Sequence, residues 1–205
     1  MYVSQEKINE AIHIFKDHGG VMRTKQAQEA GIYDRTLYTM RDKGKITPLE
    51  RGLYQLTEMD PLSNPDLVVV AKKIPDARIC LISALSFHNL TDEIPHEVHI
   101  AIPRTSRDPA FDYPPVQVYR FSESTLAAGI QVHNQDGAEL NVFSPAKTVA
   151  DCFKFRNQIG LTIAVEALKR TLSEKKATVK EILEYARLCR VEKVMKPYLE
   201  SITHG

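Results

Sequence analysis

Apolar residues recur at helical spacing early in the chain, at Ile8, Ala11, Ile12 and Phe15, behind Ser4 as an N-cap and ahead of a Gly19-Gly20 break. This predicts a first helix that covers the back of the next two. From Met22 to Thr57 the pattern changes twice. Thr24 stands where a cap belongs, Ala27 and Ala30 form a small inward face that a second helix can cross closely, and Gly31 can end the helix in the left-handed conformation. Asp34 is then placed to cap a helix over Arg35 to Lys43, with Leu37 and Met40 inward and Arg35, Thr36, Tyr38, Thr39 and Arg41 outward. Gly44 ends it, and KITPLERGLYQLT reads as a hairpin with Glu50-Arg51-Gly52 at its tip. Helix, turn, helix and Gly-tipped hairpin in this order predict a winged helix-turn-helix over residues 1–57.

The acidic, turn-rich TEMDPLSNPD breaks the pattern, and a linker is expected at residues 58–63. Residues 64–205 read as a mixed α/β domain. Asn64-Pro65 opens a helix through Lys73, Ala77 to Ile82 is a short strand, and Ser83 is placed to cap the helix ALSFHNL. Val98 to Ile102, Val116 to Phe121, Ile130 to His133 and Leu140 to Phe143 are strand-like, giving a small sheet. Ser144-Pro145 opens the helix SPAKTVADCFKF, with Val149, Cys152 and Phe153 on one side. Leu161, Val165, Leu168 and Leu172 make a further stripe, Thr178-x-x-Glu181 is a capping box, and Val191, Val194, Met195, Tyr198 and Leu199 make a last one. The fold class expected is therefore α+β, with a winged helix-turn-helix, a mixed α/β domain with a small sheet, and a C-terminal helical cluster.

Composition changes this picture little, but charge sharpens it. The 205 residues are 43% apolar and 26% charged, ordinary for a globular chain. A net charge of +1 offers no chain-wide basic field, so any nucleic-acid contact must come from local patches. Lys and Arg against Asp and Glu run 9 to 7 over residues 1–57, 6 to 12 over 58–143 and 12 to 7 over 144–205. Between Arg35 and Arg51, five basic residues stand against two acidic ones. Cys80, Cys152 and Cys189 are odd in number and set among apolar residues, which suits buried free thiols in a reducing compartment. The sequence contains no apolar run of spanning length and no signal-peptide pattern, so a cytoplasmic location without a membrane partner is expected.

The residues placed to contact double-stranded DNA are Arg23, Thr24, Lys25, Tyr33, Arg35, Thr36, Tyr38, Thr39, Arg41, Lys43, Lys45 and Arg51. Arg can bond guanine edges or phosphate, and Thr and Tyr can reach either. One head with so few cations has limited reach, so an operator of paired, inverted half-sites is expected. No catalytic constellation, cofactor loop or metal-ligand spacing is found. His96 and His99 fall on opposite faces of a strand, and His88 reads as a structural histidine. The acidic residues Asp92, Glu93, Asp108 and Asp112 sit among loop prolines and read as solvated rather than as the metal cluster of a nuclease. Lys147, Asp151 and Lys154 share one helical face, with Arg156 close behind, either as an ordinary surface ion pair or as a charged docking face for a partner.

Five segments together resemble the AbiEi-like antitoxins of type IV toxin–antitoxin systems: ERGLYQL, ALSFHNLTDEIPHEVHIAIPR, DYPPVQVYRF, NVFSPAKTVADCFKFRNQIG and RLCRVEKVMKPYLE. The resemblance extends over nearly the whole chain. It implies a repressor of its own operon, whose N-terminal domain binds DNA and whose C-terminal domain counters a nucleotidyltransferase-like toxin. A stand-alone, ligand-responsive winged-helix regulator without a toxin is the alternative.

Overall fold

Ser4 caps the first helix, α1 (Gln5–Asp17): its Oγ accepts the Lys7 amide at 3.3 Å, and Ile8, Ala11 and Phe15 are buried along one side. The computed structural model describes residues 3–110 and 112–204. A three-residue strand, β1 (Val21–Arg23), comes next, too short for its alternation to register in the sequence. Then come α2 (Thr24–Glu29) and α3 (Asp34–Asp42). Their stops are as the sequence suggests: Gly31 (φ +91°) and Gly44 (φ +64°) are left-handed, and the Ile32 and Lys45 amides reach back to Ala27 O and Met40 O, both at 2.8 Å.

Their starts differ from expectation. Arg23 and Tyr33 occupy the cap positions without side-chain cap bonds. Thr24 is already helical and donates to Gly52 O at 3.3 Å, while Asp34 accepts from Gln28 Nε2 at 2.7 Å. Both polar side chains have tertiary partners in place of capping ones. The hairpin of β2 (Ile46–Glu50) and β3 (Leu53–Leu56) is antiparallel, and β1 extends it in the order β1-β3-β2. Its register shifts between Pro48 and Glu50, and this bulge turns Glu50 inward. Glu50 is thus no part of an exposed tip; it is 8% exposed.

The chain forms two compact units. Residues 1–75, 110–114 and 133–140 make the first, and residues 76–109, 115–132 and 141–205 make the second. Segment 58–63 therefore lies within the first unit, which also holds α4 (Pro65–Lys73), with Leu67, Val68, Val69 and Val70 buried.

The second unit is built on β4 (Arg78–Ile79), α5 (Leu81–Phe87), β5 (Val98–Pro103), β6 (Val116–Phe121) and α6 (Glu123–Leu126). The hairpin strands β7 (Ile130–Gln135) and β8 (Ala138–Phe143), of which residues 133–140 are grouped with the first unit, complete a five-stranded sheet ordered β6-β5-β4-β8-β7. The pairs β5–β6 and β4–β8 are parallel and β4–β5 is antiparallel. The architecture is mixed α+β with two sheets. The strand expected over Ala77 to Ile82 shrinks to two residues, because Leu81 already opens α5 with Cys80 at the cap. Ser83 is consequently an internal, buried residue rather than a cap, and its Oγ accepts the His99 amide at 2.9 Å.

Helices α7 (Pro145–Lys154), α8 (Arg156–Ile159), α9 (Leu161–Ser173), α10 (Val179–Leu188) and α11 (Glu192–His204) complete the second unit. Ser144 caps α7, and Thr178 and Glu181 form the capping box of α10. Every residue from Pro145 to Phe153 is buried, with α5, α9, α10 and α11 packed around α7. Along α9 the buried side is Ala164, Ala167, Leu168 and Thr171, so Leu161 lies outside it at 39% exposure. Among the described residues, no helix is long and apolar enough to cross a membrane.

Candidate nucleic-acid interface

The outer side of α3 is set by what its inner side buries. Leu37 and Met40 enter the core with Ile8, Phe15, Met22 and Leu56, which leaves Arg35, Tyr38 and Arg41 in successive i, i+3 steps on the surface. Tyr38 is 50% exposed, with the Arg41 guanidinium 5.3 Å from its ring centroid. Arg41 also donates to Asp42 Oδ1 from Nη2 at 2.9 Å and Nε at 3.1 Å. That carboxylate raises the Arg41 pKa, and a phosphate or base edge would have to displace it.

Of the other candidates, Arg23, Lys25, Tyr33, Lys43, Lys45 and Arg51 are exposed, while Thr24 and Thr39 are half-buried. Thr39 Oγ1 is occupied by a bond to Arg35 O at 2.8 Å. Thr36 is a correction: at 8% exposure it faces the core rather than outward, since Leu37 and Met40 draw that side of the short helix inward. The hairpin tip is Arg51-Gly52, with Gly52 at φ +74°.

One pair that the sequence does not disclose holds this hairpin. Lys73, on α4, donates to Glu50 Oε1 at 2.5 Å, with side chains only 18% and 3% exposed. The 23 positions separating them in sequence carry no periodic signal linking the two. Burial of Glu50 also alters the charge of the surface, because between Arg35 and Arg51 Asp42 is then the one exposed acidic residue against Arg35, Arg41, Lys43, Lys45 and Arg51, with Asp34 exposed just before them.

The charged set on α7 is a second correction. Lys147 and Asp151 are both completely buried, so they form neither a docking face nor a solvated ion pair. Lys147 Nζ donates to Asp151 Oδ2 and lies 4.1 Å from the Phe143 ring centroid and 4.9 Å from that of Phe121. The Cys189 thiol donates to Asp151 Oδ1 at 3.2 Å. Burial raises the Asp151 pKa, and the lysine charge opposes the shift. Lys154 and Arg156 are half-buried; Lys154 lies over Phe121 at 5.4 Å, and Arg156 donates to Phe153 O at 2.9 Å. The i, i+4 spacing predicted the pair, but it could not say that neighbouring helices and a sheet enclose it.

All three cysteines are free and buried, and burial pushes the Cys80 and Cys152 thiols well up and Cys189 up to about 12, which leaves them protonated and unreactive. His88 Nε2 lies 2.8 Å from Phe143 O, as suits a structural histidine. Among the described residues, no three His, Cys, Asp or Glu side chains gather as a metal site requires.

Residues 9–57 match the sequence model of a family of transcriptional regulators described as AbiEi antitoxins. The matched segment runs from α1 to the end of the hairpin and contains every candidate DNA-contacting residue; the charged residues of α7 lie outside it. No curated protein matches the chain.

Proposed function

We propose, from the AbiEi antitoxin match in the N-terminal segment, that the protein is a DNA-binding transcriptional repressor acting as the antitoxin of a type IV toxin–antitoxin system. On this reading α2, α3 and the β2–β3 hairpin form a winged helix-turn-helix that represses the protein's own operon in the cytoplasm. The rest of the chain counters a nucleotidyltransferase-like toxin without catalysis of its own. The observation that carries the reading is that the exposed run Arg35, Tyr38 and Arg41 lies within the matched segment, on the second helix of the pair.

The chemistry follows from the geometry of α3. A short helix whose outer side offers two guanidinium groups around a phenol suits the major groove, where Arg bonds guanine O6 and N7. Arg51 at the hairpin tip, with Lys43 and Lys45 before the hairpin, supplies phosphate contacts, which position the protein without reading sequence. With a net charge of only +1, affinity rests on this patch and on two copies binding inverted half-sites about one or more helical turns apart.

The test is a footprint of the full chain on the DNA upstream of its own reading frame. Paired, symmetric protection supports the reading. Binding no tighter than to random duplex at the same salt concentration refutes it. Co-expression with a neighbouring nucleotidyltransferase-like gene tests the antitoxin half separately, through protection of growth.

A further inference from the structure

The second unit contains a cavity of about 480 Å³ that the DNA-binding reading does not use, within the ~300–1,000 Å³ range of small-ligand sites. Glu93, Ile94 and Glu97 from the segment before β5, His99 and Tyr119 from β5 and β6, and Gln158 from α8 help to line it. Among the described lining residues none is Lys or Arg. The unit as a whole carries 16 Lys and Arg against 13 Asp and Glu, whereas the lining carboxylates Glu93 and Glu97 face no lining cation. Phosphates and carboxylates are poorly suited to such walls.

His99 indicates what does fit. Its side chain is 8% exposed, Nε2 lies 3.9 Å from Glu97 Oε1, and Nδ1 has no hydrogen-bond partner among the described residues. Burial lowers its pKa to about 4, so at neutral pH the ring is uncharged and one of its nitrogens is an acceptor. Two carboxylates, this imidazole and the Gln117 and Gln158 carbonyls make the walls rich in acceptors. The Tyr119 ring lies 5.3 Å from His99, tilted at 52°, and gives an aromatic surface. Ile82 and Ile159 are apolar, and Ile94 stands 80% exposed.

We propose that this cavity binds a guanidinium group, carried by a free guanidino compound or by an arginine side chain of a protein partner. A planar cation with several N–H donors matches the two carboxylates and the other acceptors of these walls and lies flat on an aromatic ring, and its alkyl stem covers apolar walls. A lysine ammonium meets the charge but is compact and strongly hydrated, so it uses the rings less. The inference is independent of the DNA-binding reading.

The test is NMR titration of the isotopically labelled full chain, observing the His99 and Tyr119 rings. The probes are agmatine and acetyl-Leu-Arg-Leu-amide, with acetyl-Leu-Lys-Leu-amide and guanosine monophosphate as contrasts. Saturable shifts of both rings with a guanidinium probe are expected, with about tenfold weaker binding of the lysine peptide. Glu97→Gln should weaken the guanidinium probe about tenfold, and Glu93→Gln, at an exposed position, should weaken it in the same direction. Tighter binding of agmatine supports a free ligand, and tighter binding of the arginine peptide supports a protein partner. The proposal is overturned if neither guanidinium probe saturates, if the lysine peptide or the nucleotide binds as well, or if both variants retain full affinity.

Discussion

Replacing Lys147 by Met should be among the most destabilising single changes in the second unit. Lys147 and Asp151 are each 0% exposed, so truncating one leaves the other charge buried without its partner, at a cost of about 3–5 kcal/mol. With a urea slope of about 1–3 kcal/mol per molar, the transition should fall by roughly 1–5 M. Asp151→Asn should cost less, because Lys147 keeps the faces of Phe121 and Phe143, and a desolvated cation–π contact contributes about 2 kcal/mol. Lys147→Met with Asp151→Leu should recover most of the loss, since an apolar replacement of both partners is often neutral or better. The exposed pair Lys196–Glu200 has the same i, i+4 spacing and serves as the control, with a coupling of about 0.5 kcal/mol or less.

Acid should narrow the loss in Lys147→Met. Burial already raises the Asp151 pKa, and without the lysine it rises further. The folded state then holds a proton that the unfolded chain has released, so the penalty is largest at high pH and shrinks as pH falls towards the unfolded carboxylate value of about 4. The chain has no tryptophan, so far-UV circular dichroism is the probe. A loss below about 1 kcal/mol in Lys147→Met, or a double variant as unstable as the two singles summed, would falsify the buried-pair account.

Arg35→Ala should cost about 1–3 kcal/mol in operator binding and relax preference at one base pair, whereas Arg51→Ala should weaken all sequences alike and lower the salt slope by about 1. Gel shifts at matched salt check both, and unchanged binding in both would move the interface off α3 and the hairpin. Lys73→Met strips Glu50 of its partner at 3% exposure and should lower the first unit's stability by about 2–4 kcal/mol, seen as a drop in melting temperature. His99, with a folded pKa of about 4 against an ordinary 6.5, contributes stability that is complete above about pH 6.5 and is lost as pH falls towards 4. His99→Asn should flatten the acid limb of a stability–pH curve by about 2–3 kcal/mol, and identical limbs would show that the ring is not held neutral. Gly129→Ala would place a Cβ 2.7 Å from Lys147 Cβ at a φ of +71° and should destabilise the second unit, as read by urea titration.

What the sequence conveys well is local. Ser4, Ser144 and the Thr178–Glu181 box each fix a helix start from within one turn, and Gly31 and Gly44 fix stops by the same short-range chemistry. Thr24 and Asp34 have the composition of caps and are drawn elsewhere by Gly52 and Gln28, competitors invisible at that range. Glu50 has the composition of an exposed turn, but one bulge and Lys73 bury it. Charge spacing on α7 gives the Lys147–Asp151 pair correctly and its surroundings wrongly, because burial of a whole helix is set by α5, α9, α10 and α11 rather than by α7. The cavity around His99 and Tyr119 draws on segments from Ile82 to Ile159, and no motif spans such a distance.

The first unit is assembled from three stretches, the last ending at residue 140. On a ribosome α2 and α3 are made early, yet the unit that contains them lacks some of its parts until 65 more residues follow residue 75. At ~5–20 residues per second this is a delay of about 3–13 s. A nascent chain halted before residue 133 holds α3 and the hairpin without the stretch 133–140 of their unit, so a prematurely ended message should yield fragments more prone to degradation than the full chain. Synthesis itself would thereby couple the appearance of the complete first unit to translation of more than two thirds of the chain.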